Sequence, residues 1–95
     1  MRILHDKGNH TFYLADTDGE RIAEMTYIIK NGIMDINKTY VDEHLRETQI
    51  ARYLVDMGAS YARHEGYKID ASCSYANKVI QQYYPDLAAH PVLTV

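Results

Sequence analysis

The chain has 95 residues, 46% hydrophobic and 24% charged, with a formal net charge of −3, a length and composition that point to one globular domain with a modest core. Its ten Lys and Arg form no basic block, which argues against a nucleic-acid partner, and no apolar run approaches the roughly 20 residues that cross a bilayer. The opening Met1-Arg2-Ile3-Leu4-His5-Asp6 lacks the apolar region of a secretory leader. The single cysteine, Cys73, allows no internal disulfide, in keeping with a reducing cytoplasm.

Residues 2–7 begin with Ile3-Leu4 and suggest a short strand, and Gly8-Asn9 signals a turn. Residues 10–15 place Phe12 and Leu14 on one face and Tyr13 and Ala15 on the other, a strand pattern. Asp16-Thr17-Asp18-Gly19 follows as a turn, with Asp-Gly favouring a tight hairpin. Residues 21–30 are the clearest strand: Ala23, Met25, Tyr27 and Ile29 share one face, and a more mixed set shares the other. Asn31-Gly32 is the strongest short hairpin signal, and residues 33–41 return as the next strand.

Beyond this point the period changes. Ile50, Leu54, Met57 and Tyr61 recur at helical spacing, with Ala51, Val55, Gly58 and Ala62 beside them and Arg52, Asp56, Ser60 and Arg63 opposite. Arg63 and His64 suit the negative end of this helix, and Gly66 suits its left-handed stop. Gly58 in mid-helix costs about 1 kcal/mol relative to Ala; close approach to the sheet or a tolerated defect would both account for it. Residues 67–72 fit a strand, and residues 74–84 a second helix with Tyr75, Val79, Ile80 and Tyr83 on one side, ended by Pro85. The tail 86–95 is expected to be irregular and partly mobile. The predicted class is α/β (α+β), in the order β-β-β-β-α-β-α within one domain spanning 1–95. The strand–helix–strand unit should make a right-handed crossover, with a ligand crevice at the carboxyl ends of the parallel pair, residues 39–41 and 72–73.

Arg46-Glu47-Thr48-Gln49-Ile50-Ala51 opens the long helix, where unpaired N–H groups and the positive end of the dipole attract anions. A polar helix entry is the plainer reading of the same residues. Cys73, ahead of the second helix, is either a small packing residue or a thiol activated by the helix start. Tyr75 is either a core aromatic or a general acid. His5, His10, His44, His64 and His90 show no metal-binding spacing, and most are expected in solvent. Asp42-Glu43 could attract a cationic amine, although a solvated turn is the plainer role.

Four features in order resemble the small, minimal N-acetyltransferases of the GNAT type. They are Asn37-Lys38-Thr39-Tyr40-Val41 ending a strand, Arg46 to Ala51 opening a helix, Leu54-Val55 within it, and Ser72-Cys73-Ser74-Tyr75-Ala76 after the next strand. The loop is similar to the family's Q/R-x-x-G-x-G/A pyrophosphate pattern, with Gln49 at the central glycine; Glu47 and Lys38 also depart from common choices. The resemblance implies a parallel strand pair splayed around acetyl-CoA, used as co-substrate. It implies pantetheine against Thr39, Tyr40 and Val41, and pyrophosphate on the loop Arg46, Glu47, Thr48, Gln49, Ile50, Ala51, with Arg52 as a further charge partner. It directs the thioester toward Cys73; Tyr75, two residues on, could protonate the departing thiolate, and no metal is expected. The function implied is transfer of an acetyl group to a primary amine on a protein or small molecule, by a monomer or weak dimer without nucleic-acid or membrane partners. The rival reading is a non-catalytic CoA-binding sensor or interaction module built on the same fold. With only Gly8-Asn9 between the first two strands, the acceptor side should be shallow and open.

Overall fold

The computed structural model describes residues 2–46 and 48–89. Five strands form one sheet in sequential order: β1 (Ile3–Asp6), β2 (Thr11–Ala15), β3 (Arg21–Lys30), β4 (Ile33–Val41) and β5 (Lys68–Ala71). The first four pair antiparallel, and β5 joins β4 in parallel. Helix α1 (Ile50–Glu65) makes the crossover between β4 and β5, and helix α2 (Ser74–Tyr83) follows β5. The predicted class, element order and mixed sheet are all present.

The turns show why the strands stop where they do. Asn31 and Gly32 both hold positive φ, 53° and 77°, the pair of left-handed residues that a two-residue hairpin matched to strand twist requires. The Asp16 turn is wider than its Asp-Gly pair suggests. Asp16 N–H donates to Glu20 O, leaving a three-residue loop closed by left-handed Gly19 (φ 85°). The Asp16 carboxylate holds this loop by accepting from the N–H groups of Asp18 and Glu20 (2.9 and 3.0 Å). Gly66 ends α1 at φ 77°, with the Tyr67 N–H reaching back to Ala62 O, as expected for a left-handed stop.

The core lies between one sheet face and the helices. Phe12, Leu14, Ala23, Met25, Tyr27, Met34, Ile36 and Ile69 meet Leu54, Val55, Ala59 and Ala62 of α1 and Ala76, Val79 and Ile80 of α2. Two expectations about helix faces are corrected. Met57 is 40% exposed, because α1 approaches the sheet through its small residues instead: a Cβ on Gly58 would stand 2.7 Å from Met25 Cε. Close approach is thus the reason for the glycine. Tyr75 and Tyr83 are 42% and 49% exposed, and the buried stripe of α2 is Ala76, Val79 and Ile80. Tyrosine can cover a groove edge with its ring without entering the core.

The near part of the tail is also ordered. Leu87 and Ala88 are buried, and residues 87–89 run along β5, with Ile69 N–H donating to Leu87 O and Ala89 N–H to Ile69 O. The rest of the expected tail, 90–95 with His90, lies outside the described residues. Among the described residues no helix is long and apolar enough to cross a membrane, and no group of His, Cys, Asp and Glu could hold a metal ion.

His5 is not among the solvent-exposed histidines. It stacks on Phe12 (centroids 4.0 Å), its Nε2 shares a 2.5 Å hydrogen bond with the Tyr27 hydroxyl, and Tyr61 meets it edge-on. Burial pushes the Tyr27 hydroxyl up to about 12. Burial also pushes His5 below its ordinary value of 6.5, helped by Lys7 and His10 and opposed by Asp6. The folded chain therefore binds fewer protons at this ring than the unfolded chain does, so its contribution to stability is full above about pH 6.5 and is lost as pH falls below it. Denaturant titrations between pH 7.5 and 5 should show falling stability, and His5→Gln should flatten part of that fall. An unchanged slope in the variant would assign the pH dependence to other groups.

Candidate functional site

The site begins with an extra residue in β4. Tyr27 pairs with Ile36 and Thr26 with Lys38, so Asn37 is a bulge without a partner of its own. A bulge bends its strand and raises the local twist. Pairing between β4 and β5 ends at the same level, at Ile36 and Ala71. Beyond it β4 continues to Val41 against β3 alone, and its second edge is open.

The register gives the direction of the open groups. Asp42 N–H donates to Ile22 O (2.8 Å). Antiparallel pairs alternate between bonded and non-bonded, so Tyr40 bonds to Glu24 while the main-chain groups of Thr39 and Val41 turn to the open edge. Arg46 agrees, since its Nε donates to Val41 O at 3.4 Å.

The loop after β4 carries a short 3₁₀ turn, Glu43–Leu45, and then enters α1. Thr48 ties the entry together: its hydroxyl donates to Leu45 O (2.5 Å) and accepts from Ile50 N–H (3.3 Å). The first bond of the α1 ladder runs from Tyr53 N–H to Gln49 O, which leaves the N–H groups of Ala51 and Arg52 at the helix start, free of the ladder.

These elements enclose a cleft of about 330 Å³ lined by Thr39, Tyr40, Val41, Leu45, Arg46, Thr48, Ala51 and Tyr75. Seven of these were expected on sequence grounds. Leu45 was not, because a lone Leu in a polar turn carries no periodic signal. Ile50, also expected there, does not line the cleft: its side chain is buried and its N–H donates to the Thr48 hydroxyl. Glu47 lies outside the described residues.

Gln49 holds φ −87° and ψ 14°, a conformation open to any residue, so the loop needs no glycine there for positive φ. Its side chain lines a neighbouring groove of about 250 Å³ with Arg52, Tyr75, Lys78, Val79, Gln82 and Tyr83. Arg52 belongs to that groove and not to the cleft. Its Nε donates to Asp56 Oδ1 (2.9 Å) and its guanidinium lies 3.7 Å from the Tyr83 ring centroid. Lys78, one turn after Tyr75 on α2, is a cation the sequence reading passed over.

Cys73 caps α2 and stands beside Thr39 rather than in the cleft wall; its Sγ lies 3.5 Å from Thr39 Oγ1. Burial raises the thiol, but the N–H groups of Ala76, Tyr75 and Thr39 and the Thr39 hydroxyl outweigh it, and the net shift is downward. The α2 N–H groups act on the sulfur at longer range, without a capping hydrogen bond. Tyr75 joins cleft and groove. Burial raises its hydroxyl, Arg52 opposes, and Asp56 and Tyr83 add to the rise, so it carries a proton at neutral pH.

An open strand edge, a cation, free helix-start N–H groups and a protonated phenol thus surround one cleft, with a thiol beside Thr39 at its margin. Comparison with known proteins bears on what this arrangement belongs to. A family model described as GCN5-related N-acetyltransferase matches residues 11–89. No curated protein matches the chain. Among solved structures, a candidate GCN5-like N-acetyltransferase from Staphylococcus aureus is similar over 97% of this chain and 90% of its own, at 26% identity and TM-score 0.76. A candidate acyl-CoA N-acyltransferase from Klebsiella pneumoniae matches at 14% identity, over 78% of this chain and 55% of its own, with TM-score 0.61. An IAA acetyltransferase from Bacillus cereus matches at 19% identity, over 76% and 51%, with TM-score 0.60. The chain spans about half the length of these last two, and at such identity they show the shared fold alone. Fold, splayed strand pair and family match agree, and the chain belongs to the GCN5-related N-acetyltransferases, a family whose chemistry is acyl transfer.

Proposed function

We propose that the protein transfers an acetyl group from acetyl-CoA to a primary amine. The observation that carries this reading is the free main-chain edge of Thr39 and Val41 facing the start of α1 across the cleft. That edge offers amide-pairing groups for pantetheine. Arg46 and the N–H groups of Ala51 and Arg52 offer the cation and donors that a pyrophosphate needs. The adjoining groove, with Lys78 and the Tyr83 ring, suits the nucleotide end. Only a 3₁₀ turn, Lys7–Asn9, and its cap His10 separate β1 from β2, which leaves an open approach for the amine.

Cys73 and Tyr75 divide the chemistry. The Cys73 thiolate bonds to the acyl carbon as the carbon–sulfur bond of the thioester breaks, and the Tyr75 hydroxyl gives its proton to the departing sulfur. The amine then takes the acyl group from Cys73, and its released proton returns to the Tyr75 oxygen.

Acetyl-CoA should raise the melting temperature. A ligand present at about 100 times its Kd, bound only to the folded chain, adds roughly 2.7 kcal/mol. A melt with and without millimolar acetyl-CoA, backed by calorimetry, measures this. No shift and no heat would reject both the transferase and the CoA-sensor readings.

A further inference from the structure

The turn from β5 into α2 is tied to β4 by a side chain. Just past the last paired residues, Ile36 and Ala71, Ser72 N–H donates to Asp35 Oδ1 (3.1 Å). The Ser72 hydroxyl lies 3.2 and 3.1 Å from the two carboxylate oxygens. One residue on, Cys73 N–H donates to Ile36 O (3.2 Å). Asp35 is an unusual choice for this place. Aspartate is disfavoured in strands, and Asp35 stands in register beside Asp70 on the same face, where like charges repel. Its carboxylate is used where the ladder ends: it replaces the sheet bonds that Ser72 loses as the strands part.

We propose that Asp35 is a positioning residue for Cys73: by holding Ser72 it fixes where β5 leaves β4, and so holds the sulfur between Thr39 and the start of α2. Its value for acyl transfer rests on the functional reading above; the geometry does not. Ser72 and Cys73 share a peptide, so a shift of Ser72 carries the cysteine with it. The groups acting on the sulfur are the N–H groups of Ala76, Tyr75 and Thr39 and the Thr39 hydroxyl, with no charged side chain from α2, β4 or β5 among them. Asp35 therefore reaches the thiol through position. The two routes have opposite signs: loss of a nearby negative charge eases thiolate formation, whereas displacement from the helix start hinders it.

The test is the pH profile of Cys73 alkylation by iodoacetamide in the wild type, Asp35→Ala, Asp35→Asn and Ser72→Ala. Asp35→Ala should move the midpoint upward and slow the reaction at pH 7 by roughly threefold or more. Asp35→Asn, which keeps an acceptor for Ser72, should stay near the wild type. An unchanged or faster reaction in Asp35→Ala overturns the proposal, as does an Asn variant that matches Ala. If Asp35→Ala does not fold by circular dichroism, Ser72→Ala decides alone: slower alkylation supports the proposal and an unchanged profile rejects it. Acyl-CoA enters none of these measurements, so their failure is separable from failure of the transferase reading.

Discussion

Tyr75→Phe should lower the turnover number by about 10²–10⁴-fold, the usual range for losing a general acid, while acetyl-CoA affinity changes little. The ring stays in the cleft wall, and only the hydroxyl is lost. With the pKa of that hydroxyl raised, chiefly by burial, the proton is held until the departing sulfur needs it. The loss should appear in kcat rather than in KM, since the interaction strengthens only as the thioester breaks. Cys73→Ala completes the assignment. With wild-type protein, acetyl-CoA alone should leave an acetyl mass on Cys73, and the alanine variant should show neither mass nor turnover. Full activity in Cys73→Ala would mean direct attack by the amine. Full activity in Tyr75→Phe would leave the departing sulfur to solvent protons and remove Tyr75 from the chemistry.

Gly58→Leu should lower the melting temperature by roughly 10 °C, from about 1–3 kcal/mol of overpacking. Even a Cβ at this position would stand 2.7 Å from Met25 Cε and 3.3 Å from Met34 Cε. Both atoms end flexible side chains, so Gly58→Ala is a milder case: a helix-propensity gain of about 1 kcal/mol offsets the shift of two methionines. A leucine leaves no such room and must lift α1 from the sheet. The start of α1 forms one wall of the cleft, so acetyl-CoA should also bind more weakly to Gly58→Leu. Thermal melts and calorimetry on both variants measure the two effects. A leucine variant with wild-type stability would show that α1 is not held this close to the sheet.

The local pattern of the chain determined its elements. Alternating burial along residues 21–30, the Asn31-Gly32 turn and the 3.6-residue period after Ile50 are short-range signals, set by backbone sterics and by which side of a strand or helix meets water. Their order was enough to place a crevice at the end of β4 beside the entry to α1, because a parallel pair needs a crossover and the crossover leaves that end open.

What only the tertiary structure decided depended on distance between elements. Helix-face assignments shifted because large apolar residues drew the reading inward, whereas the narrow gap between α1 and the sheet admits Gly58, Ala59 and Ala62 and turns Met57 out. His5 carries no pattern of its own; its burial follows from β1 laying it against Phe12 while Tyr27 and Tyr61 arrive from β3 and α1. Arg52 sits in the loop-to-helix stretch that suggested a phosphate partner, yet the helical turn aims it at Asp56 and Tyr83. Ser72 and Asp35 are 37 residues apart. Their bond depends on the register of β4 against β5, and a register is a property of two strands that neither sequence holds alone.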